Sequence, residues 1–191
     1  MEIKKENIQA AFKAADESGR KLLLALFPEL NTESAQKPDN RPVTERIKTF
    51  ADAARAIGIE NPEEWEDGYS NVEYDILAYF KLRIIVKALN EGWEPQFTEN
   101  ETRYYPWFWL YTENEIEEMD EDECASRSLI STGDYVTEYA GFAFAATNNA
   151  PSHTNAYFGS RLCLKNRELA AYCGRQFITI WADYHLIIKE N

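Results

Sequence analysis

Two histidines occur in the chain, His153 and His185, so any imidazole acid–base chemistry must run through one of them. Neither lies in a motif of known mechanism, and His153 sits among turn-forming residues, where a surface role is the simpler reading. Cys124, Cys163 and Cys173 are an odd number without CxxC spacing, which argues against a disulfide framework. The same spacing disfavours a zinc site built from Cys163, Cys173 and the two histidines. The cysteines read as small buried apolar groups in a reducing cytosol. No catalytic residue, metal or cofactor is expected.

Binding chemistry has three better candidates. Glu113, Glu115, Glu117, Glu118, Asp120, Glu121, Asp122 and Glu123 place eight carboxylates in eleven residues. This run lacks the glycine and alternating ligands of an EF-hand. Its ordinary reading is a solvated, mobile loop, and its sharper one is an array that imitates a phosphate backbone and occupies the cleft of a DNA-acting enzyme. Tyr104, Tyr105, Trp107 and Trp109 belong to a dense aromatic run ending at Tyr111. That run is either core packing or a stacking platform. Arg161, Lys165 and Arg167 surround the start of a helix, where backbone N–H groups already favour an anion, although salt bridges to the chain's own acids compete. The candidate contact surface is thus Tyr104, Tyr105, Trp107, Trp109, Glu115, Glu117, Glu118, Asp120, Glu121 and Asp122, with Arg161, Lys165 and Arg167 as a candidate anion site.

The elements that must position these groups follow from periodicity. Ile8, Phe12, Ala15, Leu22, Leu23 and Leu26 mark one helical face over Glu6–Phe27, with a possible break at Ser18–Gly19 and a stop at Pro28. The polar, proline-bearing stretch from Glu29 to Pro42 reads as a linker. The expected organisation is a helical arm and linker over 1–42 and an α+β domain over 43–191. In that domain Thr44 is expected to cap a helix closed by Gly58, Asn61-Pro62 to open a short one carrying Trp65, and Ser70 with Glu73 to form a capping box for a largely buried helix that Gly92 ends.

After Trp93 the pattern turns to strands. Tyr104–Tyr111, broken by Pro106, reads as an edge or bulged strand. Alternation at Phe142, Phe144 and Ala146 reads as a second strand, Thr147–Thr154 as a turn, and Ala156–Leu164 as a third strand. Asn166 then caps one long helix running towards Ile188 with Leu169, Cys173, Phe177, Ile180 and Tyr184 on a single face.

Charge bounds the partners. With 33 acidic against 20 basic residues the chain carries −13, so direct binding to nucleic acid or an anionic membrane is disfavoured. The apolar run Leu22–Phe27 is too short for a signal peptide or a span.

Four blocks in order, Val43-Thr-Glu-Arg-Ile-Lys-Thr-Phe50, Asp75-Ile-Leu-Ala-Tyr-Phe-Lys-Leu82 with Ala88-Leu-Asn-Glu-Gly-Trp93, Tyr104-Tyr-Pro-Trp-Phe108, and Gly159-Ser-Arg-Leu-Cys-Leu-Lys-Asn-Arg-Glu-Leu169, resemble a family of uncharacterised proteins carried by phages and prophages of gut Bacteroidales. The resemblance covers roughly Val43–Ile188. It implies a mobile-element origin and a bacterial cytoplasm or virion, and brings no activity or catalytic residue with it. Glu113–Glu123 looks like an insertion relative to that pattern.

The expected architecture is α+β, with helices on one face of a small antiparallel sheet and a long C-terminal helix across it. The expected function is a non-enzymatic protein-interaction or assembly module of a phage or mobile element, binding a host or phage protein. An acidic nucleic-acid mimic and a small-ligand protein or enzyme with an anion site near Arg161 are the alternatives.

Overall fold

The apolar positions spread between Val43 and Ile188 converge on a three-stranded antiparallel sheet and the helices packed against it, in a computed structural model that describes residues 5–27, 39–151 and 160–189. The chain divides into two units, Met1–Arg41 and Pro42–Asn191.

The first unit holds α1 (Lys5–Ala14) and α2 (Glu17–Leu26). The helical face breaks at Ala15–Asp16, not at Ser18–Gly19, because the Asp16 carboxylate accepts from the Gly19 N–H at 2.8 Å and so starts a new helix. Pro28 and most of the linker, 28–38, lie outside the described residues.

The second unit is α+β. Its helices are α3 (Val43–Arg46), α4 (Phe50–Ala56), α5 (Pro62–Asp67), α6 (Tyr74–Asn90), α7 (Glu113–Glu117), α8 (Glu121–Arg127), α9 (Arg167–Gln176) and α10 (Ile178–His185), and its strands are β1 (Thr102–Tyr111), β2 (Ile130–Ser131) and β3 (Gly141–Pro151). The order is β1-β3-β2, so β3 is central and β1 is an edge. β1 and β3 pair from Thr102↔Pro151 to Tyr111↔Gly141, with a register shift between Trp107 and Phe108 just after Pro106, where a missing N–H already weakens the ladder. α9 lies against β1 and β3, and α6 packs on α10 and α4.

Several boundaries move. Thr49, not Thr44, caps the helix before Gly58, through a reciprocal box with Asp52. The buried helix starts at Tyr74 without a side-chain cap, so Ser70 and Glu73 form no box. It ends as expected, with Glu91 and Gly92 both left-handed. β3 continues through Thr147–Pro151, which replaces the first part of the expected turn, while 152–159 lie outside the described residues. The expected strand ending at Leu164 is instead a 3-10 turn, Ser160–Leu162, followed by a single bridge between Leu164 and Tyr104.

The C-terminal helix is two helices that meet at Phe177. Asn166 caps the first by accepting from the Leu169 N–H at 2.8 Å. Phe177 and Trp181, four residues apart and so on one face, both enter the core, Trp181 against Phe108 at 5.3 Å between ring centroids. No helix among the described residues is long and apolar enough to cross a membrane.

Candidate functional site: an aromatic groove at the free edge of β1

Alternation along β1 divides the aromatic run, with Tyr104, Phe108 and Leu110 packed on the core and Trp107 and Trp109 facing away from it. Tyr104 is half-buried and Tyr105 only 8% exposed, whereas Trp107 is 41% and Trp109 55% exposed. Of the four aromatics expected on a contact surface, the two tryptophans therefore reach solvent. At Tyr104 the outer edge of β1 is occupied by Leu164, through Tyr104 N–H to Leu164 O at 3.0 Å and Leu164 N–H to Tyr104 O at 2.7 Å. Beyond Pro106 that edge meets no strand among the described residues.

Here a groove of about 940 Å³ opens between the tryptophans, Phe108, Tyr139, Tyr184 and His185. Three devices hold its walls. Tyr139, 41% exposed, sits on the approach to β3, where the Thr132 hydroxyl donates to the Tyr139 carbonyl and the Thr132 N–H to Ala140 O at 3.2 Å. The α10 wall is clasped by the Tyr135 hydroxyl donating to Asp183 at 2.8 Å and by Val136 N–H to Ile187 O at 2.7 Å. The rim is the start of α7, where Thr112 and Glu115 cap one another. The Thr112 backbone N–H, with its hydroxyl, holds the Glu115 carboxyl below the ordinary range, so this rim stays anionic.

His185 is the one titratable group on the floor with a large shift. Its ring stacks at 17° on Trp181, 5.8 Å between centroids, and lies 5.5 Å from Phe108 and 5.0 Å from Tyr184. His185 stays partly exposed at the groove, yet the packing of its ring among these side chains strips hydration and lowers its pKa to about 4, so at neutral pH the imidazole is uncharged.

The acidic run is not a loop. It folds into α7 and α8, started by Thr112 and by Asp120, whose carboxylate accepts from Glu123 N–H at 2.7 Å. Acids in the first turn of each helix suit its dipole, which is why such a charged stretch becomes helical. Glu115, Glu117, Glu118, Asp120, Glu121 and Asp122 are exposed, while Glu123 is engaged by Arg127 at 2.8 Å.

The basic candidates are not brought together. Lys165 pairs with Glu91 at 3.2 Å, and Arg167 donates to the Thr147 hydroxyl at 3.3 Å. Arg161 turns instead towards Arg83 and Lys87 of α6. Those two, with Trp93 and Phe97 nearby, were missed by a reading centred on the helix start. Arg83 and Lys87 stand four apart on the polar side of a buried helix, a spacing that signals a shared patch. Burial pushes the Cys163 and Cys173 thiols up, to about 11 and about 12, so both remain unreactive packing groups. His153 lies outside the described residues.

Fold and groove define a class, an α+β domain presenting tryptophans along an open strand edge. No family model, curated protein or solved structure matches the chain.

Proposed function

We propose that the chain is a non-enzymatic interaction module of a phage or integrated element that captures an extended, cationic segment of a protein partner along the free edge of β1. The observation that carries this reading is the pair of exposed tryptophans, Trp107 and Trp109, on an edge that has no strand beyond Pro106 among the described residues. An added strand gains main-chain hydrogen bonds from such an edge, and alternate side chains enter pockets beside it. Tryptophan and tyrosine are the side chains that concentrate binding energy at protein contacts. Charge selects the occupant, because the groove is lined at one end by the exposed Glu115 carboxylate at the start of α7, in a chain of net charge −13.

Selection from a random-peptide display library tests it. Enrichment of peptides alternating apolar and Lys/Arg residues, with affinity falling about tenfold or more in Trp109→Ala, supports the reading. Equal enrichment on a Trp107→Ala/Trp109→Ala double variant refutes it.

A second reading has its own support. Seven exposed carboxylates along two capped helices, Glu113 included, form a fixed array, which suits imitation of nucleic acid better than a mobile loop does. Neutralising Glu117, Glu118, Glu121 and Asp122 should abolish capture of a DNA-acting enzyme while leaving peptide binding at the tryptophans in place.

A further inference from the structure

At the C-terminal end of α6 a cleft of about 460 Å³ gathers Arg83, Lys87 and Arg161 beside the rings of Trp93 and Phe97. We propose that this cleft binds a small ligand joining an anionic group to a flat ring, the chemistry of a nucleoside monophosphate. The site lies apart from the strand-edge groove, and the proposal does not depend on the reading of that groove.

Charge is the first ground. In a chain with 33 acids, three cations converge from positions as distant in sequence as Arg83 and Arg161, and none of the three is ion-paired with a carboxylate among the described residues. Arg83 rests over the Tyr79 ring at 5.9 Å. Glu94 also lines the cleft and offsets one charge. Glu91 is already engaged by Arg46 and Lys165, which hold its carboxyl below the ordinary range. Like charges one helical turn apart destabilise each other, and an anion bound between Arg83 and Lys87 removes that repulsion. The α6 dipole favours cations only within its last turn, and Arg83 lies outside it.

The second ground is the aromatic wall. Phe97 is 55% exposed and has φ of 58°, a left-handed conformation that bulky residues rarely take. The loop imposes it: Gln96 N–H donates to the Glu101 carboxylate at 2.7 Å, and Gln96 Nε2 to the Glu94 carbonyl at 3.1 Å. A strained, solvent-facing ring next to Trp93 gains nothing from the core, and a planar ligand stacked on it supplies the missing contact.

Rigidity is the third. Asn90 is buried, and both ends of its amide are used, Nδ2 donating to Cys163 O at 2.9 Å and Oδ1 accepting from Lys165 N–H at 3.1 Å. It ties the segment carrying Arg161 to α6, so the cations are placed before a ligand arrives. The volume falls within the range of small-molecule sites, about 300–1,000 Å³.

Calorimetric titration of the full chain with AMP, GMP, CMP and UMP, and separately with adenosine and inorganic phosphate, tests the assignment. At least one monophosphate should bind saturably, with adenosine and phosphate each weaker by about tenfold or more, since each supplies half of the contacts. Arg161→Ala and Phe97→Ala should each weaken that binding about tenfold, roughly one charge-assisted or stacking contact. Both residues are exposed, so the free variants should melt with the parent. Absence of saturable binding by all four nucleotides up to about 10 mM, binding unchanged by both substitutions, or phosphate binding as tightly as the nucleotides would each overturn it.

Discussion

Gly174 on α9 sets helix propensity against packing, and the structure decides the sign. A Cβ at this position would lie 2.7 Å from Phe144 Cδ2, 2.7 Å from Pro106 Cβ and 3.2 Å from Phe144 Cε2. Neither neighbour can yield cheaply. The proline ring is fully buried in β1, and the Phe144 ring is buried under the Arg175 guanidinium, 4.3 Å from its centroid. Gly174→Ala should gain about 1 kcal/mol from helix propensity and lose about 2–3 kcal/mol to overpacking as α9 is pushed off the sheet. The net is a loss of about 1–2 kcal/mol, a fall of roughly 3–6 °C in Tm for a domain of this size. Thermal unfolding followed by far-ultraviolet circular dichroism measures it. In a double-mutant cycle with Phe144→Ala, which removes the obstructing ring, the two losses should be less than additive by about 0.5 kcal/mol or more. A Tm equal to or above that of the parent would refute this account of how α9 seats against β1.

Other variants probe the polar ties and the groove floor. Asn90→Ala removes two buried hydrogen bonds and leaves the Cys163 carbonyl and Lys165 N–H to find new partners, so urea unfolding should show a loss of about 2–3 kcal/mol. Tyr172→Phe deletes the 2.6 Å bond from its hydroxyl to the Ile47 carbonyl, which joins α9 to the end of α3, and should cost about 1 kcal/mol by the same assay. For His185 the folded pKa lies below the ordinary 6.5, at about 4. Between these values the unfolded chain takes up a proton that the folded imidazole refuses, so stability should fall as pH drops from 6.5 to about 4 and this contribution should level off below. The difference in urea midpoint between parent and His185→Gln should vary with pH in that window, and a parallel pair of profiles would show that the ring is not held neutral.

Local chemistry was enough to determine the α+β class, the proline-broken aromatic run as a strand, the helix end at Gly92, and the Asn166 cap. Each depends on a residue's own backbone preference or on neighbours within a turn, which the sequence states directly. The tertiary structure decided what depends on distant partners. The last helix divides at Phe177, whose ring is buried, and Thr147–Pro151 became strand because Thr102–Pro106 lay alongside to pair with it. It also decided which aromatics face water: alternation along β1 turns Tyr104, Phe108 and Leu110 to the core and Tyr105, Trp107 and Trp109 to the other face, where Tyr105 is covered and the tryptophans are not. Lys165 and Arg167 found partners in Glu91 and Thr147, and Arg161 came to α6 because Asn90 tied its segment there. Which charges share a site depends on contacts between residues some seventy positions apart, and no local spacing encodes those.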